Sequence, residues 1–206
     1  MGSILENVVM IICQVFSNKR AFNFLGFFMA IAIFTGLIVL IINPDFKSLL
    51  AGVSEVGIQG KRPTGIMLVL EYVLNNGFKV PLGMFVLSLV PIGYLYLLQP
   101  SITTGLLGGL LMGVAVNIHT FSAMDLAISA LPHTVVEMYA YAIWASALFD
   151  LNKWVRDKLL KKSNQYTFIE VIQQAGEKYI LAVVPLIVIG AFLETYVADW
   201  IMNLLS

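Results

Sequence analysis

The chain has 206 residues, 59% hydrophobic and 12% charged, with 12 basic and 12 acidic side chains and a formal net charge of zero. Soluble domains carry about 25% charged residues, so half the usual charge is missing. This excludes a disordered chain, a coiled coil and a nucleic-acid binder held by basic excess. It also argues against a soluble enzyme and leaves the integral membrane class. A single cysteine, Cys13, excludes an internal disulfide framework and any multi-cysteine metal site. The length accommodates one domain, read here over residues 1–206.

Along residues 1–20, Ile4, Val8, Ile11 and Val15 recur at helical spacing, which predicts an amphipathic helix or an ordered tail on a membrane face. Ala21 to Ile42 is free of charge. As a helix of about 33 Å it is long enough for a hydrocarbon core of roughly 30 Å. Lys19 and Arg20 precede it and Asn43-Pro44-Asp45 stops it. The stretch exceeds a signal-peptide core and follows an apolar segment, which predicts a retained span. Residues 66–79 are apolar but interrupted by Glu71, Asn75 and Asn76, which predicts an interfacial helix leading into the next span.

Further spans are expected at 80–98, with Pro91 as a kink, and at 101–116, 131–149 and 179–197. Between them, residues 117–132 read as a short interfacial or re-entrant helix with a capping-box pattern at Ser122–Asp125, and Pro132 opens the following span. Residues 150–178 read as a basic connection, with Thr167–Glu170 as a second capping box. The expected fold is therefore all-α, an integral membrane helical bundle of about five transmembrane helices plus interfacial helices. With five spans, eight basic residues fall on one side and four (Lys47, Lys61, Arg62, Lys79) on the other. The positive-inside rule places the eight, and the N-terminus, in the cytoplasm of a multi-pass cell-membrane protein.

Gly105, Gly109 and Gly113 recur every four residues, with Gly108 beside them. Small residues at this spacing let helices approach closely in lipid, and no lysine accompanies them as a phosphate loop would require. His133 and Glu137, four apart, share a helix face. A charge at a helix centre in the membrane costs roughly 2.5–3.5 kcal/mol, so such groups need a partner or a task. Glu194, Asn75, Asn76, Glu71, His119 and Asp125 all map toward the same, outer side. Three readings stand open. One is a polar network with His133 bonded to Glu137 or Asn76, supported by Asn75, Asn76 and Glu194, that holds helices in register. Another is a divalent-metal site of His133, Glu137 and Glu194. The third is an acid–base pair, with His133 and Glu137 as catalytic residues. No His-Glu-x-x-His and no Gly-x-Ser-x-Gly run exists.

Asn75-Asn76 before a Gly-bearing span, the Gly-rich span, Leu131-Pro132-His133 with Glu137, the basic connection and the terminal Glu194-Thr195-Tyr196 follow one another in an order that resembles the stage II sporulation protein M family. These are small polytopic membrane proteins, and the resemblance covers roughly residues 20–200. Thr134, Tyr139-Ala140 and Ala198-Asp199 depart from the Gly, Pro-Ala and Pro that many members carry there. The sporulation member is a scaffold for cell-wall hydrolases, and its matching run lacks the His and the Glu. Retention of both here is similar to the non-sporulation branch, found with circular bacteriocins. The resemblance implies a non-enzymatic scaffold, export accessory or immunity component. The alternative is a membrane-embedded, metal- or acid–base-dependent peptide maturation enzyme of peptidase or cyclase type. Expected partners are the lipid bilayer, other membrane proteins, a small secreted peptide and further copies of the chain, with no nucleic acid.

Overall fold

The computed structural model describes residues 17–42, 63–117 and 121–205, with the side chains at 107, 109–117, 121–124 and 126–127 excepted. Among these residues there are helices and turns and no strand. The chain runs through α1 (Lys19–Ile42), α2 (residues 66–88), a 3-10 turn at Leu95–Leu97, α3 (Leu98–Asn117), α4 (Phe121–Leu159) and α5 (Phe168–Leu205). Two of them, α1 and α5, are long and apolar enough to cross a membrane.

Several helix bounds differ from the hydropathy reading. The stretch 80–98 is not one helix. Its first part, Val80–Ser88, continues 66–79 into the single rod α2, so the expected interfacial helix is the upstream half of that rod. The chain then turns at 89–94, with Tyr94 in the left-handed region at φ 64°, before α3 begins at Leu98. Residues 121–159 are also one rod, with Pro132 inside it, where a short helix and a separate span were expected. Of the presumed connection at 150–178, only residues 160–167 lie outside helices. The amphipathic helix expected at 1–20 lies outside the described residues up to position 16.

The rods are placed by specific contacts. Asn18 caps α1, its Oδ1 accepting from the Arg20 N–H at 2.9 Å while its amide donates to Ser146 of α4 at 2.9 Å. Arg20 pairs with Asp150 at 2.8 Å and lies over the Phe149 ring at 4.1 Å. At the far end of α2, Asn152 is 1% exposed. Its side-chain amide donates to the Ser88 and Val90 carbonyls at 2.9 and 2.8 Å, with Ile92 at 3.3 Å. The Ser88 carbonyl ends the helix, and those of Val90 and Ile92 also accept from the Ile92 and Leu95 N–H groups within the turn. The capping box at Thr167 and Glu170 forms as the sequence indicates. The core gathers Phe24, Phe28, Met84, Tyr96, Ile143, Trp144, Leu148, Leu151, Val183 and Ile187. Outside it, Phe34, Ile41, Leu106 and Ile180 are at least 63% exposed. Apolar side chains facing outward from packed helices match a hydrocarbon surrounding.

The glycines of α3 meet α1 closely. The Thr35 hydroxyl donates to the Gly105 carbonyl at 2.7 Å. A Cβ on Gly105 would stand 3.1 Å from Ile31, and one on Gly108 would stand 2.5 Å from the Ala32 carbonyl oxygen. Gly105 therefore sits in a helix-packing seam, and Gly108 is its tightest described point. The surroundings of Gly109 and Gly113 fall outside the described side chains.

Two measurements of thermal unfolding in detergent follow. Gly108→Ile is expected to destabilise the chain by about 1–3 kcal/mol through forced separation of α1 and α3, whereas Gly26→Ile, with nothing within 4 Å of its Cβ position, leaves the transition close to the parent. Asn152→Leu takes the side-chain donor from the Ser88 carbonyl and loosens the turn that follows it, and is expected to cost about 1–3 kcal/mol.

Candidate functional site

Two prolines shape the site. Pro81 in α2 and Pro185 in α5 each stand second in an α segment that follows a π turn, Val73–Lys79 and Tyr179–Val183 respectively. A proline lacks the N–H for the preceding turn, and its ring presses on the carbonyl four residues back. The turn widens in response. Val80 donates to Asn75 and Val184 to Tyr179, each five residues back. The Gly77 carbonyl, four residues before Pro81, accepts a hydrogen bond from the Tyr179 hydroxyl instead. The Pro81 carbonyl accepts from Trp144 of α4 at 3.0 Å. A third π turn, Leu193–Val197, has no proline. Such turns are rare and frequent at functional sites.

The first π turn carries Asn75 and Asn76, and the third carries Glu194 and Thr195. The Asn76 amide donates to Glu137 of α4 at 2.8 Å, and Asn75 donates to Asn76 at 2.9 Å. The Tyr72 hydroxyl donates to Glu194, which lies within electrostatic reach of Glu137. Gly190 is packed on Glu137: a Cβ there would stand 2.9 Å from the glutamate Cγ. Gly77 likewise brings α2 onto α5, its Cβ position 3.2 Å from Ile187. Neither Glu137 nor Glu194 has a cationic partner among the described residues.

Helix direction locates the rest. Gly190 meets Glu137, and Tyr179 faces Trp144 with ring centroids 5.1 Å apart, so α5 runs antiparallel to α4. Glu194 and Thr195, one turn past Gly190, therefore come level with His133 and Thr134, one turn before Glu137. Three buried atoms at this level have no hydrogen-bond partner among the described residues: His133 Nδ1, Thr134 Oγ1 and Thr195 Oγ1.

The structure thus joins Asn75, Asn76 and Glu137 in one chain of hydrogen bonds and brings Glu194 near it. His133 is not hydrogen-bonded into it. The trio of His133, Glu137 and Glu194 does not close as a metal site: no group of three or more His, Cys, Asp or Glu side chains among the described residues is placed to hold a metal. The carboxylates turn to other partners, Glu137 to Asn76 and Glu194 to Tyr72. Asp125 is buried in α4, Glu71 is exposed, and His119 lies outside the described residues. The reading from sequence missed Tyr72, Trp144, Tyr179, Gly77 and Gly190. The recurrence of Val-Pro at 80–81 and 184–185 inside apolar runs was the available signal.

Among family models, that for stage II sporulation protein M matches residues 21–199. No curated protein and no solved structure matches the chain.

Asn76→Ala removes the one described donor to Glu137 and is expected to lower stability by about 1–3 kcal/mol, since a half-buried carboxyl oxygen loses its partner. Asn75→Ala, at an exposed position, is expected to stay within about 0.5 kcal/mol of the parent. Thermal unfolding of the two variants in the same detergent makes the comparison.

Proposed function

Since the chain belongs to the stage II sporulation protein M family, we propose that it is a multi-pass membrane component that serves as a scaffold, export accessory or immunity element of a membrane complex. The observation that supports this best is the bond between Asn76 and Glu137 at 2.8 Å. It reads as a clasp that locks the register of α2 on α4, with α5 held against it at Gly190. A polar contact of this kind has no aqueous competitor in hydrocarbon and gives helices a unique arrangement. All five rods cross the bilayer in this reading. Lys19, Arg20, Lys153, Arg156 and Lys158 cluster at one end, since Arg20 bonds Asp150. That end is cytoplasmic by the positive-inside rule. Glu137 stands 15 residues up α4 from Asn152, about 22 Å toward the opposite face. A small secreted peptide, such as a circular bacteriocin precursor, and further copies of the chain are the proposed partners.

A specific observation favours a second reading. Among the described residues, His133 Nδ1, Thr134 Oγ1 and Thr195 Oγ1 find no hydrogen-bond partner near two carboxylates, which is the kind of arrangement an acid–base or cation-assisted peptide maturation centre uses.

One substitution separates the two. Glu137→Gln keeps an oxygen for Asn76 and removes the acid–base group. The scaffold reading expects protein level and cellular phenotype within about twofold of the parent, because the clasp persists. The maturation reading expects loss of function by about 100-fold or more at unchanged level. Function is scored as peptide production or self-protection, and level by immunoblot of membranes.

A further inference from the structure

At the opposite end of the bundle from Glu137, two hydrogen-bond donors are buried without acceptors. Tyr96 is 0% exposed, and its hydroxyl has no partner among the described residues. Arg156 Nε is likewise buried and unpartnered. Arg156 makes no ion pair and no hydrogen bond to any described residue, whereas Arg20 nearby is neutralised by Asp150. Both guanidinium groups, and the Asp150 carboxylate that pairs with Arg20, lie within electrostatic reach of the Tyr96 hydroxyl. Arg156 as a whole is half-buried, but an enclosed N–H without an acceptor is costly, and both Arg156 Nε and the Tyr96 hydroxyl are of this kind.

The place is built by the turn at 89–94. Asn152 holds the Val90 and Ile92 carbonyls. Arg156, one turn further along α4, packs its guanidinium against Gly93, with Nη1 3.5 Å and Cζ 3.8 Å from the Cβ position. A Cβ at 93 would lie in ordinary van der Waals contact with it. Leu89, Ile92 and Tyr94 of the same turn are 37–56% exposed. A donor pair without acceptors thus sits beside an outward apolar edge, at a helix end.

We propose that Arg156 and Tyr96 bind a phosphate group, and that an anionic phospholipid supplies it. The phosphate oxygens accept from Arg156 Nε and the Tyr96 hydroxyl, and the acyl chains lie along Leu89 and Ile92. A planar guanidinium suits tetrahedral phosphate oxygens, and basic pockets between helices on the cytoplasmic side take lipid headgroups. The inference does not rest on the clasp at Glu137.

The test is lipid binding and thermal unfolding of the full chain in detergent doped with phosphatidylglycerol or phosphatidylcholine. Phosphatidylglycerol is expected to raise the melting temperature saturably, and phosphatidylcholine is not. Arg156→Gln is expected to weaken phosphatidylglycerol binding by about tenfold or more, and Arg156→Lys to recover part of it. Tyr96→Phe separates binding from folding. Without lipid it melts no lower than the parent, because it deletes an unsatisfied hydroxyl, yet it gains less from the lipid. Inorganic phosphate giving the full effect alone would assign the site to free phosphate and overturn the lipid as its source. Equal phosphatidylglycerol binding by the parent, Arg156→Gln and Tyr96→Phe would overturn the site itself.

Discussion

The backbone carbonyl that Pro81 releases, that of Gly77, is the constraint around which the centre of the bundle is organised. Inside hydrocarbon, no water accepts or donates to a stray carbonyl, so each must be satisfied by protein. The Gly77 carbonyl is met by Tyr179 of α5 and the Pro81 carbonyl by Trp144 of α4. The released Gly77 carbonyl ties α2 to α5, and a further bond from Trp144 to the Pro81 carbonyl ties α2 to α4. The widened turn that accommodates it also rotates Asn76 onto Glu137. Glycines at 77 and 190 leave the room for this approach, since a methyl at either would press on Ile187 or Glu137.

Polar contacts at the other end use a different logic. There the helices terminate, and the groups in need of partners are helix-end carbonyls and flanking charges. Asn152 covers the end of α2, Asn18 starts α1, and Arg20 joins α1 to α4 through Asp150. The two ends thus differ in chemistry as well as in charge. One has cations and amides around a turn, and the other has carboxylates and hydroxyls between wide helical turns. An outwardly apolar bundle with a basic end and an acidic opposite half is the pattern expected of a protein oriented by its basic flanks.

Much of this was legible in the residues. Glu137 and Glu194 stood out because charge is scarce, but the expected bonds ran from His133, whereas the one that forms runs from Asn76 to Glu137. The capping box at Thr167 and Glu170 is local and formed as read. The helix bounds near Ser88 and Phe121 were not legible. Hydropathy reads 80–98 as continuous because Leu89, Val90, Ile92 and Leu95 are as apolar as a helix core, and the turn among them is held by Asn152, more than 60 residues away in sequence. His133 was read as part of the cluster because it shares a face with Glu137. A shared face does not give a shared bond, and Glu137 points its oxygen at Asn76 instead.

By itself, the sequence determined the class of the protein: an all-helical membrane chain of the stage II sporulation protein M family, with two acidic groups too costly to leave unattended. Composition, helix length and local motifs decide those properties, and each is a sum over neighbouring residues. Tertiary structure alone decided which groups meet. It brought Asn76 to Glu137, Tyr72 to Glu194 and Tyr179 to Gly77, and it left Arg156 Nε and the Tyr96 hydroxyl without acceptors among the described residues. Those pairings depend on where two prolines widen their helices and on how closely glycines let the rods approach, and both are properties of packed helices rather than of any one segment.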